Sequence, residues 1–143
     1  MKEASTQCQK IIKETGKDLG LIIIDYIQLM EGNSKASRDE ELGKIVIKLK
    51  DMTVKLKVPV IFLSQLNRAI EHRKNKRPML SDTRKTQSLE YHADVIVMIY
   101  RDEYYNHDTT DKGITELTTC KHWNGALGTV KMLFEPNYTR FIN

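Results

Sequence analysis

The sequence is poor in the features that most readily name a function. It has no G-x-x-x-x-G-K-[ST] and no G-x-G-x-x-G, so neither common glycine-rich phosphate cradle lies within it. It has no G-x-S-x-G, and its four histidines (His72, His92, His107 and His122) do not sit at metal-ligand spacing. No complete catalytic set can be assembled from these residues. Two cysteines, Cys8 and Cys120, make neither a disulfide framework nor a zinc set, so a reducing, cytoplasmic setting is expected. With 7 Gly and 3 Pro the chain is not collagen-like or low-complexity. No apolar run approaches the roughly 20 residues that span a bilayer. The start, Met1-Lys2-Glu3-Ala4-Ser5, is not a secretory signal. What remains is a globular balance: 143 residues, 40% hydrophobic and 29% charged. Lys+Arg exceeds Asp+Glu by 23 − 19 = 4, a modest positive charge compatible with a nucleic-acid partner.

The patterning is that of an α/β protein. Ala4, Cys8, Ile11 and Ile12 recur at helical spacing, and Gly16 is placed to end a helix over 4–15. Residues 20–25, Gly-Leu-Ile-Ile-Ile-Asp, read as a strand without polar alternation, which predicts burial on both faces in a parallel sheet. After a loop from Glu31 to Ala36, Ser37-Arg38-Asp39-Glu40 has capping-box form. The helix it opens carries one apolar stripe, Leu42, Ile45, Val46, Leu49, Met52 and Leu56. Val58 to Leu63 is a second strand, with Pro59 where a missing N–H is tolerated. Together these predict a βαβ unit. Residues 67–83 are polar and basic, a long surface loop or a loop with a short helix, and Ala93 to Tyr100 is a third strand, followed by a polar loop over 102–113. Ile114–His122 and Gly128–Phe134 form a hairpin turning at Asn124-Gly125, and Tyr138–Ile142 is a short last strand. The chain reads as one domain or part of one.

Asp25 ends an aliphatic strand at its C-terminal edge, where open α/β sheets bind ligands. A carboxylate there suits magnesium, and equally suits a turn cap. Gln65 follows the second strand and would emerge on the same edge. Its neutral amide suits a phosphate oxygen or an attacking water, or simply a polar loop start. His72-Arg73-Lys74-Asn75-Lys76-Arg77 places four cations in six residues, and Arg84, Lys85 and Thr86 lie in a second polar loop. On a ligand-binding edge these suit nucleic-acid phosphates; elsewhere they are a solvated face. Tyr104-Tyr105 suits either base stacking or local packing. Lys121 sits at the hairpin tip beside Trp123, as an exposed turn residue or a contact to another subunit.

Taken together these segments resemble the DnaB-type replicative DNA helicases. Leu21-Ile-Ile-Ile-Asp25-Tyr-Ile-Gln-Leu-Met30 is similar to that family's Walker B strand, and Val58-Pro-Val-Ile-Phe-Leu-Ser-Gln-Leu-Asn-Arg68 to its next core motif. Lys76-Arg-Pro-Met-Leu-Ser-Asp82, Ala93-Asp94-Val95 and Tyr100-Arg-Asp-Glu-Tyr-Tyr105 continue in register. Lys121 to Gly125, Gly128-Thr129-Val130 and Thr139-Arg140-Phe141 close the series. The resemblance runs over nearly the whole chain, in order. It implies the C-terminal portion (residues 1–143) of a RecA-like P-loop NTPase core, mainly parallel sheet with helices on its faces and a C-terminal β-hairpin. The family hydrolyses ATP with Mg2+ between subunits of a hexameric ring and translocates on single-stranded DNA. Primase and a helicase loader are the partners implied. Asp25 matches the acid that orients magnesium, and Gln65 the glutamine linking the phosphate site to the DNA-facing loops. Arg84 and its neighbours match a central-channel loop, and Lys121 a lysine reaching the adjacent subunit's ATP.

The same resemblance implies that this chain alone is inactive. The family's P-loop and catalytic glutamate lie upstream of the position matching Asp25. Trp123 stands where the family usually has its finger arginine, Arg84-Lys85-Thr86-Gln87 where the channel loop usually reads R-E-S-G, and Ala126 where proline is common. Apolar sheet surface left uncovered by the missing half is expected to drive self-association or element swapping. The rivals are a non-catalytic truncated module that joins or regulates a ring, and another RecA-like ATPase of the recombination type.

Overall fold

A computed structural model of the protein describes residues 2–31 and 37–142. It divides into two compact units, Met1–Gln65 with Lys85–His92, and Leu66–Arg84 with Ala93–Asn143.

The first unit opens with α1 (Lys2–Thr15). Gly16 ends it as expected, with φ at 62° and its N–H donating to Ile12 O at 2.9 Å. β1 (Ile22–Ile24) leads through a 3-10 turn (Ile27–Leu29) toward α2 (Arg38–Leu56) and β2 (Val60–Phe62). The predicted loop from Glu31 to Ala36 falls, from Gly32 on, outside the described residues. At the start of α2, Ser37 Oγ accepts the Glu40 N–H at 3.4 Å. Acids in its first turn and Lys55 in its last complement the helix dipole.

The stripe on α2 is buried as its spacing required. Leu42, Ile45, Val46, Leu49 and Met52 form one core with Ile27 and with Leu89 of α3 (Gln87–His92). The approach of α3 to α2 depends on Gly43: a β-carbon there would lie 2.6 Å from Ser88 Oγ.

β1 and β2 pair in parallel, Ile22 with Val60, Ile23 with Ile61 and Ile24 with Phe62. Ile22, Ile24, Val60 and Phe62 pack against the core beneath α2. The alternate residues do not: Ile23 is 65% exposed and Ile61 52%, flanked by exposed Leu21 and Leu63. Burial on both faces, expected from the unbroken aliphatic run, is therefore not met. The cause is the strand period of two: one helix layer covers every second residue, and no described element covers the rest.

The second unit contains 3-10 turns at Arg68–His72 and Leu80–Thr86, β3 (Val95–Tyr100), a one-turn α4 (Asp102–Tyr105), β4 (Ile114–His122), β5 (Gly128–Glu135) and β6 (Arg140–Ile142). The loop expected over 102–113 thus begins with a helical turn. The four strands form an antiparallel meander in chain order. Among the described residues only β1 and β2 are parallel, so a mainly parallel sheet is not what these residues build. A parallel rung needs a crossover, and α2 is the one supplied. An antiparallel rung needs only a tight turn, which Asn124-Gly125 provides.

The hairpin lies where expected but is asymmetric. β4 last pairs with β5 at Thr119 and Gly128. Its final residues turn to β3 instead, Lys121 opposite Ile96 and His122 opposite Val95, with a bulge at that point. No helix of the described residues is long and apolar enough to cross a membrane.

Candidate active site

Asp25 and Gln65 both belong to the first unit and leave the same edge of its parallel ladder. The last rung joins Ile24 to Phe62. Asp25 is the next residue on one segment, and Gln65 is three residues on along the other. Asp25 is exposed and has no ion pair or hydrogen bond among the described residues. Its peptide bond to Tyr26 is cis, which nothing in the sequence announced. An unpaired, solvent-facing carboxylate is a hard oxygen donor of the kind magnesium takes, directly or through water. Asp25 therefore fits as one ligand. It is no complete site by itself, since no cluster of three or more His, Cys, Asp or Glu suited to a metal exists among the described residues.

Gln65 is exposed at the end of β2. Its backbone N–H donates to Gln28 Oε1 at 3.3 Å, and Gln28 Nε2 donates to Ser64 Oγ at 3.0 Å. Arg38, the first residue of α2, donates from Nη2 to Gln28 O at 2.6 Å and Met30 O at 2.9 Å. Neither Gln28 nor Arg38 stood out in the sequence. Their only signal was position, three residues after Asp25 and one residue inside a helix cap.

The basic loop lies in the second unit, and its two arginines are held internally. Arg73 donates from Nη2 to Asp82 Oδ2 at 2.7 Å and to Arg77 O at 3.0 Å. Arg77 forks onto Glu116 of β4 at 2.8 and 2.9 Å and lies 4.8 Å over the Tyr100 ring. Tyr100 stacks on Tyr105, which carries the Lys76 ammonium 5.2 Å above its ring. Tyr105 thus packs locally, while Tyr104 meets its edge and stays exposed. Lys74 is exposed and has no ion-pair partner among the described residues. Arg84 ends the second unit and Lys85 and Thr86 resume the first, along the Leu80–Thr86 turn, and their side chains lie outside the described residues.

The electrostatics follow these contacts. Hydrogen bonding to Glu116 raises the Arg77 guanidinium further above its usual range. Burial, then donation to Asp102 at 2.5 Å, pushes the Tyr100 phenol up to about 12. Hydrogen bonds from Thr109 and Tyr100 hold Asp102 below the usual carboxylate range. The Arg101 guanidinium and then the Gly113 N–H do the same for Glu103. A phenol whose pKa is raised by folding gives up stability as pH rises from its unfolded value near 10. Burial raises the Tyr105 phenol as well, so the expected result is that two of the chain's 6 tyrosines titrate late by absorbance, and that Tyr100→Phe lessens the loss of stability between pH 10 and 12.

At the hairpin tip, Lys121 Nζ lies 5.7 Å over the Trp123 ring. Trp123 is 72% exposed and its N–H ties the tip to Asp94 O at 3.0 Å. His122 folds over Gly125, where a β-carbon would fall 2.1 Å from the imidazole.

The sequence profile described as "DnaB-like helicase C terminal domain" matches residues 1–143. The chain belongs to that family. It is 45% identical over 139 residues to replicative DNA helicase DnaB of Geobacillus stearothermophilus, covering 96% of this chain and 30% of the relative. It is 43% identical over 143 residues to replicative DNA helicase DnaC of Bacillus subtilis (strain 168), covering 99% and 31%. The DnaB-like chain thus spans about a third of the length of these curated relatives. Among solved structures it matches a separately solved ATPase domain with a TM-score of 0.92 and 39% identity, over 98% of this chain and 50% of that one. A DnaB-like replicative helicase, solved to show its interactions with primase, gives the same TM-score and identity over 98% and 34%. Both neighbours lie well above 25% identity, so the likeness extends past the fold to the DnaB-like helicase family.

Proposed function

We propose that residues 1–143 act as the C-terminal part of an ATP-driven replicative helicase domain, working as a hexameric ring on single-stranded DNA in the cytoplasm. The observation that carries this reading is the emergence of Asp25 and Gln65 from adjacent parallel strand ends, in a chain matched throughout by the family profile. Magnesium-bound ATP supplies the energy-releasing phosphoryl transfer. Asp25 holds the magnesium side of that group, and Gln65 hydrogen-bonds toward the phosphates and reports their state to the DNA-facing loops. Lys121, half-buried near the end of β4, is the residue assigned to the nucleotide of a neighbouring subunit. Arg84, Lys85 and Thr86 are assigned to DNA phosphate by the family resemblance, and Lys74, Lys76, Arg73 and Arg77 by the charge of their own loop. Arg73 and Arg77 are internally paired, so in this reading they shape the loop while Lys74 meets phosphate. The solved neighbour with primase supports primase as a partner; a helicase loader rests on the family resemblance alone.

The phosphate cradle is assigned to sequence outside these residues, because no P-loop motif occurs within them. Two consequences follow. Residues 1–143 alone turn over no ATP. They also self-associate through the uncovered Leu21, Ile23, Ile61 and Leu63 face, so sedimentation is expected to show concentration-dependent oligomers. A monodisperse monomer across the micromolar range would contradict the second.

The reading is tested by grafting residues 1–143 into the Bacillus subtilis relative in place of its matching segment. ATP hydrolysis stimulated by single-stranded DNA is expected; a folded chimera without turnover would count against it. Trp123 favours a second reading, a non-catalytic module within a ring, because an indole supplies none of the charge a finger guanidinium brings. In the chimera, Trp123→Arg raises turnover if a finger was lost. No change means another cation serves or none is needed.

A further inference from the structure

The hydrogen bonding between the two segments that carry Asp25 and Gln65 does not stop where the strands stop. Past the last rung, the Leu63 N–H donates to Ile24 O at 3.0 Å, and the Ile27 N–H donates to Leu63 O at 2.9 Å. The Gln65 N–H is then received by a side chain, Gln28 Oε1, at 3.3 Å. The other half of that carboxamide, Nε2, donates to Ser64 Oγ at 3.0 Å and approaches Gln65 O at 3.5 Å. A carboxamide carries the same donor and acceptor as a peptide group. Gln28 thus adds one rung to a parallel ladder at the point where Asp25 has turned out of it. The rung is itself braced. Ile27 beside it is fully buried, and Arg38 holds the Gln28 carbonyl while pairing with Glu41.

We infer that Gln28 is a positioning residue, which holds the Gln65 backbone against the Asp25 turn and so fixes the spacing of the magnesium acid and the phosphate-facing amide. This rests on the roles proposed above for Asp25 and Gln65. Gln28 acts through Gln65 and the Asp25 turn rather than on the nucleotide. The sequence contains the residue but gives no sign of the role, because a glutamine in a polar turn has many uses and only the fold aligns its amide with a strand.

Two measurements test it. In the 143-residue chain, Gln28→Met removes both halves of the rung, whereas Gln28→Glu keeps the acceptor for the Gln65 N–H. Hydrogen exchange at the Gln65 amide is expected to quicken about tenfold or more in Gln28→Met and by less in Gln28→Glu. The Ile22 amide, at the far end of the ladder, keeps its rate. Unchanged exchange at Gln65 would overturn the inference. In the chimera, Gln28→Met is expected to lower kcat about tenfold or more with KM for ATP unchanged, and Gln28→Glu to recover part of the loss. A role confined to stability would lower the melting temperature and leave kcat per folded molecule intact, and that result would also overturn it. An unmutated chimera without turnover would instead overturn the roles given to Asp25 and Gln65, with the exchange measurement still deciding the rung.

Discussion

Asp25→Asn is expected to abolish magnesium-dependent ATP turnover in the chimera, a fall of at least about 10²-fold. The substitution is close to isosteric. The carboxylate has no partner among the described residues, so its loss removes no contact that holds the fold. Stability is therefore expected to change by no more than about 0.5 kcal/mol, the usual range for a surface site. What changes is charge. A neutral amide oxygen is a far poorer partner for a divalent cation than a carboxylate. Turnover and melting temperature read together separate the two causes, and a variant that melted early would point to a structural role for Asp25. Added magnesium is expected to restore part of the lost rate, because affinity for the metal is what has fallen.

The second large effect is on stability. Arg77 and Glu116 form a forked ion pair, and Glu116 is 8% exposed. Arg77→Met leaves that carboxylate buried with its principal partner gone. Removing one member of a buried pair typically costs about 3–5 kcal/mol. The Arg77 side chain is 45% exposed, so water replaces part of the lost interaction. About 2 kcal/mol is the expected loss by urea denaturation. Adding Glu116→Gln to Arg77→Met is expected to recover part of it, since the buried charge goes too. Equal effects from the single and double variants would contradict this account. The same substitution frees the basic loop, because Arg77 is its attachment to β4.

The local signals in the chain are legible where the physics is local. The Ser37 cap, the Gly16 helix end, the α2 stripe and the Asn124-Gly125 turn each depend on a few neighbouring residues, and each is present in the fold. Expectation and structure part where an answer depends on what lies across space. An aliphatic run such as Leu21–Ile24 fits burial on two faces, but whether a second layer exists is not written in the run. The parallel assignment fails for the same reason: Val95–Tyr100 is as apolar as a parallel strand, yet it pairs antiparallel with β4, which the run itself does not announce.

The candidate site is legible as residue types and only partly as geometry. The βαβ pattern alone places Asp25 and Gln65 on one edge. In the sequence the basic loop is four equivalent cations. The fold separates them, because Asp82 and Glu116 claim two, and acids 9 and 39 residues away give no sequence signal of pairing. Gln28 is invisible for the same reason.

The most direct test of the central claim is unwinding of a forked DNA duplex by the chimera that carries residues 1–143. ATP-dependent strand separation that Asp25→Asn abolishes is the expected result. A folded, ring-forming chimera that hydrolyses no ATP and separates no strands would contradict it, and would leave this segment as a ring component without a motor's function.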